Sequence, residues 1–274
     1  MSSATSHLKG TASRAADSKP LEYLVRGGFV CYGVIHLLFA WLVLQVAFGH
    51  PAKEGDQSGA LQSLAGLSYG KVLLGVIAVG MVALAIWQAF EAAIGQGGPR
   101  TKTAIAERVV NGIRAIVYLW LAWTAVKVLR GVNADMAGNQ QKNSTQLMGQ
   151  PGGRWLVGLI GLVIAGVGIG LFLYGYTKKF LRHLNTQRMS PSVRKTTRRL
   201  GVAGYIAKGV AYTIAGILVV VAAVTYQPDQ ARGLDAALKT LASHAYGNWL
   251  LALIAVGFAA FGVYCFSQAK YRKV

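Results

Sequence analysis

The sequence predicts an all-α membrane protein. Six transmembrane helices form three parallel two-helix repeats in a pseudo-threefold bundle, with short amphipathic helices on the outer face. Three observations predict this. Apolar runs at 25–47, 71–94, 110–130, 155–176, 201–225 and 248–268 each supply the ~20 residues a helix needs to cross a bilayer core. Hydrophobic residues make up 54% of the chain and charged residues only 14%, against about 25% charged in a soluble domain. One unit, an apolar run, a polar loop with a small amphipathic piece, and a second apolar run, occurs three times, and a repeat of this length organises the whole fold.

Taken in order, residues 1–20 read as a disordered cytoplasmic segment, too long and polar for a signal-peptide n-region. Repeat 1 spans 21–95, with crossings at 25–47 and 71–94; a cytoplasmic loop follows at 96–107. Repeat 2 spans 108–177, crossing at 110–130 and 155–176. A basic cytoplasmic loop covers 178–198. Repeat 3 spans 199–274, crossing at 201–225 and 248–268. Cys31 and Cys265 both fall inside crossings, so no disulfide framework is available and they read as small packing residues.

The net charge of +19 is informative through its placement. Lys9, Arg14, Lys19 and Arg26 open the chain, and Arg100, Lys102 and Arg108 lie between crossings two and three. Lys178, Lys179, Arg182, Arg188, Arg194, Lys195, Arg198 and Arg199 fill the next connector, and Lys270, Arg272 and Lys273 end the chain. The alternate loops carry few bases and hold Glu54, Asp56, Asp135, Asp229 and Asp235. This positive-inside asymmetry puts both termini in the cytoplasm of a bacterial plasma membrane. Anionic lipids at the cytoplasmic face are the expected partner of these bases. Nucleic acid is excluded as a partner, because no aromatic-interleaved basic motif accompanies the charge.

The repeats give an internal ruler. Gly28, Phe29, Gly33, Ala40, Ala60, Leu61, Leu64, Tyr69, Gly70, Leu73, Leu74 and Gly80 recur as Gly204, Tyr205, Gly209, Gly216, Ala237, Leu238, Leu241, Tyr246, Gly247, Leu250, Leu251 and Gly257. The middle copy keeps register through Ala115, Ala122, Gly131, Leu147, Gly153 and Leu156. Two crossings return the chain to its starting side, so the copies enter in the same sense. Ahead of the second and sixth crossings, Leu61, Leu64 and Ala65, like Leu238, Leu241 and Ala242, share a helical face, with Ser58 and Asp235 placed as N-caps. Each stretch reads as a surface helix forming a collar, with a lid over a central vestibule as the alternative. The equivalent stretch of copy two, with Pro151, Gly152 and Gly153, reads as a looser turn. Gly166 with Gly170, Ala85 with Ala89, Ala211 with Ala215 and Ala255 with Ala259 offer close helix contacts. Trp41, Tyr69, Trp87, Trp120, Trp123, Trp155, Tyr174, Tyr176, Tyr226, Tyr246, Trp249 and Tyr264 read as interfacial anchors.

Ionisable residues inside crossings are costly and mark candidate sites. Four stand out: His36, Glu91, Arg114 and Lys208. The ruler superposes Arg114 on Lys208, with Tyr32 at that place in copy one; His36 matches Tyr118 and Tyr212. Glu91 is expected to share a layer with Lys208 and Arg114. The layer reads either as a proton- or ion-coupled site or as two snorkelling bases with Glu91 neutralising one. No HExxH, GxSxG, P-loop or clustered Cys/His pattern occurs, so no catalytic residue, metal or cofactor is expected. Asn143-Ser144-Thr145 satisfies a glycosylation sequon on an outer loop.

Tyr205, Lys208, Gly209 and Tyr212 form an aromatic–x–x–base–Gly–x–x–Tyr opening, and Ala60–Leu74 and Ala237–Leu251 carry an Ala-Leu-x-x-Leu…Gly-x-x-Leu-Leu stretch. In these the chain resembles a bacterial family of integral membrane proteins known as domain of unknown function 1206, over nearly all of the chain beyond the first 20 residues. Copy one departs, with Tyr32 for the base and His36 for the tyrosine, and copy two lacks the first glycine. The resemblance implies three tandem helix pairs and no assigned activity. The mitochondrial carriers share the three-by-two plan but need Px[DE]xx[KR] at the end of each odd crossing, which is missing here; Pro20-Leu21-Glu22 misses the base by one position.

The expected function is that of a non-enzymatic membrane scaffold or partner subunit, with a homo-oligomer or a membrane partner protein as its associate. The alternative is a small-solute or proton-coupled permease using Glu91, Arg114, Lys208 and His36. An intramembrane enzyme has no constellation behind it. A dry small-residue core favours the scaffold, and a polar cavity reaching Lys208 favours transport.

Overall fold

Glycine-to-backbone contacts between long helices set the architecture. The computed structural model describes residues 19–49, 55–94, 102–132, 134–227 and 231–273. The expected disordered start (up to 18) and most of the first connector (95–101) lie outside them. Among the described residues the elements are α1 (Lys19–Ala47), α2 (Gln57–Ala65), α3 (Gly70–Ile94), α4 (Lys102–Leu129), α5 (Met136–Met148), α6 (Gly153–Tyr176), two 3₁₀ turns (Lys179–His183 and Thr186–Arg188), α7 (Pro191–Thr225), α8 (Leu234–Ala242) and α9 (Gly247–Tyr271). Six of these helices are long and apolar enough to cross a membrane. They pair as α1/α3, α4/α6 and α7/α9, and the short helices α2, α5 and α8 fall inside the pairs. By parity α2, α5 and α8 share one side, and the connectors and both termini share the other, the terminal side.

The helices that begin each repeat start earlier than apolarity alone suggests. Much of the expected 178–198 loop is ordered: two 3₁₀ turns fill its first half, and α7 begins at Pro191 behind an Ser190 cap whose hydroxyl accepts from the Val193 amide. Proline at the first helical position and serine before it are a start signal that charge had masked. The resulting 35-residue helix is ~50 Å long at its rise per residue, so its basic first turns project beyond a bilayer core.

The spans pack in the order α1, α3, α4, then α6, α7, α9, and α9 closes back onto α1. Gly28 meets the Gly80 backbone across α1/α3, and Gly33 and Gly262 abut across α1/α9. Gly209 lies on the Gly168 carbonyl, and Gly216 on Gly161, across α6/α7. Lipid supplies no hydrophobic force between helices, so such backbone approach is what holds them. Gly166 and Gly170 do not take part: a Cβ at either would meet nothing within 4 Å. Gly161 and Gly168, on the neighbouring face of α6, make the contact instead. The three pairs are not equivalent. In the middle one, α4 and α6 make little contact with each other, and only 28% and 17% of their apolar stretches are buried, against 50–56% in the other spans.

On the side opposite the termini, the short helices form a collar closed by hydrogen bonds. Gln62 donates to the Ala134 carbonyl (3.1 Å) and Ser58 Oγ accepts from the Met136 amide (3.3 Å), joining α2 to α5. The Gly55 amide donates to Asp235 (2.8 Å), joining α2 to α8, and Arg232 reaches Gln141 (3.4 Å). Two expected caps are corrected. Asp56, not Ser58, caps α2, accepting from the Ser58 and Gly59 amides. Asp235 sits inside the first turn of α8, where it ties down the Gly55 loop and pairs with Arg232 and Lys239. The looser turn expected in copy two is a 13-residue helix, α5, capped by Asp135; its polar sequence hid the periodicity.

Each short helix hands over to the next span through one glycine. A Cβ at Gly70, Gly153 or Gly247 would collide with the carbonyl oxygen of Leu64, Leu147 or Leu241 respectively. Gly70→Ala and Gly247→Ala should therefore each cost about 2 kcal/mol or more. Gly166→Ala should leave the melting temperature unchanged or slightly higher. Thermal melts in detergent of the three variants check this.

Candidate functional site

The first span of each repeat turns the same register position toward the bundle interior. Tyr32, Arg114 and Lys208 occupy it on α1, α4 and α7, and His36, Tyr118 and Tyr212 lie one helical turn further on. Lys208 is 6% exposed and His36 fully buried, so the lysine does not snorkel to either surface. Its Nζ donates to Tyr32 Oη at 3.2 Å and lies 3.2 Å from His36 Nε2. His36 Nδ1 is 2.8 Å from the Tyr32 carbonyl oxygen and donates to it, which leaves the Nε2 lone pair to accept from Lys208. The same ammonium stands 4.0 Å from the Phe261 ring centroid and 5.4 Å from that of Tyr32. A lysine thus lies inside the bundle with two neutral acceptors and two π faces around it. Of its three N–H donors, the described residues engage two.

Arg114 continues the axis toward the termini. Its electrostatic neighbours are Tyr205, Tyr118, Tyr174 and Tyr32, with Tyr174 in hydrogen-bonding reach. Tyr118 packs edge-on against Tyr32, centroids 5.1 Å apart. Beyond it the C-terminal segment pairs with the α6–α7 connector: the Asn185 amide donates to the Tyr271 carbonyl (2.7 Å) and the Lys273 amide to the His183 carbonyl (3.0 Å). That pairing brings Arg182, His183, Arg272 and Lys273 together. Tyr174 Oη and His183 Nδ1 are hydrogen-bonded at 3.1 Å. Burial, then the charges of Arg272, Arg114, Arg182 and Lys273, push His183 down to about 4. Arg272 is clamped between Phe29 and Trp87, 5.1 and 4.8 Å from their centroids, and donates to Gln268 at 2.6 Å. Its Nε is buried without a partner.

Toward the collar, Gln57 donates to Tyr212 (3.4 Å), one turn beyond Lys208. A cavity of about 230 Å³ opens there, between α4 and α6 where the middle pair is splayed. Its lining includes Asp56, Gln57, Trp120, Val167, Tyr212 and Arg232. Burial raises the Asp56 carboxyl above the ordinary range, against the opposing effect of its bonds to Ser58 and Gly59.

Of the four candidates, Lys208 and His36 are in contact and Arg114 lies next to them. Glu91 is on a helix that packs against the one carrying Arg114. It sits half-buried near the terminal end of α3 with contacts of its own, and α3 packs on α1 and α4, not on α7. Tyr32, Phe261, Tyr174, His183 and Arg272 are the members sequence reasoning missed. Trp87, Tyr174 and Tyr264, expected as interfacial anchors, point inward: Trp87 carries Arg272, and Tyr264 is 1% exposed. Trp41, Tyr69, Trp155, Tyr246 and Trp249 are exposed on the outside of the bundle. Among the described residues no group of His, Cys, Asp and Glu could hold a metal ion, and both cysteines are free and buried.

Six apolar membrane-length helices in three tandem pairs around a polar interior define a multi-pass helical membrane protein built by internal triplication. The chain belongs to the family described as Domain of Unknown Function (DUF1206), whose model matches three times in tandem, at 27–95, 111–178 and 203–272. It is similar to an uncharacterised Bacillus subtilis (strain 168) protein, YxxB, with 30% identity over 258 residues covering 93% of each chain. No solved structure matches it.

His183 provides a pH test of this geometry. An imidazole held neutral in the fold, and free to protonate when unfolded, stabilises fully above about pH 6.5, the unperturbed value. That contribution is lost as pH falls toward 4. Its ceiling is about 3 kcal/mol, reduced by partial solvent access. Melting temperature should fall between pH 6.5 and 4 in the wild type, and less steeply in His183→Gln.

Proposed function

We propose that this protein is a small-solute permease of the bacterial plasma membrane, with both termini cytoplasmic, and that Lys208 with His36 and Tyr32 is its central site. The observation that carries the reading is the enclosure of Lys208 by neutral partners. Sequence alone weighed toward a scaffold, held together by small-residue contacts. A scaffold gains nothing from a buried base without a carboxylate, which costs several kcal/mol relative to an apolar residue. An ionisable group kept inside a membrane bundle at such a cost is explained by a solute or proton that it handles. The cavity beside Tyr212 supports the same reading, since it brings the collar side within one helical turn of the lysine. Arg114 and the basic cluster line the approach from the terminal side. No enzymatic chemistry is proposed, and none of these groups needs a cofactor for this role. The basic terminal-side loops are matched to anionic cytoplasmic lipids, and a homo-oligomer or a membrane partner is compatible with the broad apolar face of α6.

The test is flux in proteoliposomes. Wild-type protein should carry current or solute across the bilayer for at least one member of a panel of small inorganic and organic ions. Lys208→Ala should abolish that flux with the helical circular dichroism and melting behaviour retained. Flux unchanged in Lys208→Ala removes the site. A wild type inert to the whole panel, co-purifying in mild detergent with a stoichiometric membrane partner, returns the protein to the scaffold class.

A further inference from the structure

Four cations converge at the terminal end of the bundle axis with hydroxyl, imidazole and aromatic groups between them. The geometry points to an oxyanion site there, formed by Arg114 and Arg272 with Tyr174 and His183, that receives a phosphate-like group. The inference rests on the permease reading and deepens it: the solute that Lys208 handles belongs to this class.

Each part of the site is present for a physical reason. Arg272 is fixed by the Phe29–Trp87 clamp and by Gln268, so its guanidinium is pre-organised and does not have to be ordered by a ligand. Its Nε donor is buried and unpartnered, a costly condition that an acceptor oxygen relieves. Arg114 faces the hydroxyls of Tyr205, Tyr118, Tyr174 and Tyr32. Guanidinium is the group best matched to the paired oxygens of a phosphate or carboxylate. The cluster is built and not a chance of surface charge, because the Asn185–Tyr271 and His183–Lys273 backbone bonds join two segments nearly ninety residues apart in sequence. Four described acids are committed elsewhere: Glu22 pairs with Arg26, Asp235 with Arg232 and Lys239, and Asp56 and Asp135 cap collar helices. An anion entering at Arg272 then meets Arg114 and, past Tyr32, the unengaged donor of Lys208. The site's cations run in series along the axis.

The chemistry could come from a free anion or from a lipid headgroup, and the experiment separates the two. The full chain is reconstituted in nanodiscs of phosphatidylcholine, and inorganic phosphate is titrated at constant ionic strength against chloride, following the melting temperature and calorimetric heat. Saturable stabilisation by phosphate supports the site and assigns it to a free oxyanion. Stabilisation only when phosphatidylglycerol replaces part of the phosphatidylcholine supports it as a headgroup site. In either case Arg114→Gln should weaken the effect about tenfold or more, and Arg114→Lys should weaken it less. Arg114 is the chosen position because Arg272 also packs on two rings, and its loss would disturb the fold. Lys208→Gln should keep the binding and lose the flux. Absence of stabilisation by either probe, or stabilisation equal in Arg114→Gln and wild type, overturns the inference. Arg114-dependent binding without flux of any ion leaves the site standing and removes the permease reading; flux without Arg114-dependent binding does the reverse.

Discussion

Backbone-to-backbone contact at glycine is the interaction from which the rest of this structure follows. In a bilayer, burying leucine against leucine gains little over leaving it in lipid, so helices stay together only where they fit closely. Gly33 against Gly262 and Gly209 against Gly168 bring α1, α9, α6 and α7 nearer than side chains would permit. With α1 and α7 so placed, the long side chain of Lys208 reaches α1 and ends on Tyr32 and His36. A wider bundle would leave that ammonium stranded in hydrocarbon. The polar cluster is therefore a consequence of the small residues around it and not an independent feature.

The collar performs a second task in the same economy of contacts. Gly70, Gly153 and Gly247 each lie against a leucine carbonyl of the preceding short helix, so the direction in which each second span departs is set by a backbone collision that only glycine avoids. Hydrogen bonds from α2 to both other short helices hold the three handovers in register. The spans are thereby fixed at one end by the collar. At the other end the C-terminal segment, paired with residues 182–185, does the equivalent work for α6, α7 and α9.

The spans, the triplication and their common sense were legible because apolar length and repeat spacing are one-dimensional quantities. Lys208, Arg114 and His36 were legible for a related reason: an ionisable residue inside an apolar run stands out whatever it touches. Arg272 and His183 were invisible since one ends the last helix and the other lies in a basic connector, and only the chain's return brings them together. Helix α5 was missed because its residues 139–145 are all polar, and its start is signalled by a single Asp135 whose role shows only in the backbone amide it receives. The early start of α7 was written in Ser190-Pro191, a local signal that the surrounding bases outweighed.

The imperfection of the repeat has chemical content. Strict triplication of the third copy would place three bases at one register position around a common axis, and three tyrosines a turn beyond it. Like charges at that separation in a low-dielectric interior repel by several kcal/mol. Tyr32 in place of the first base removes one charge and supplies the hydroxyl that Lys208 uses. His36 in place of the first tyrosine supplies a lone pair at the other side of the same ammonium. Both substitutions fall in copy one, and both contact the base of copy three. The middle copy keeps its base, Arg114, but among tyrosines and toward the termini, while its own two spans part to admit the cavity beside Tyr212. Three equal hairpins would have made a symmetric and electrostatically unstable core. Divergence among them turned one ring of positions into a row, with a cation cluster at one end, a lysine held by neutral acceptors in the middle, and an opening at the other end.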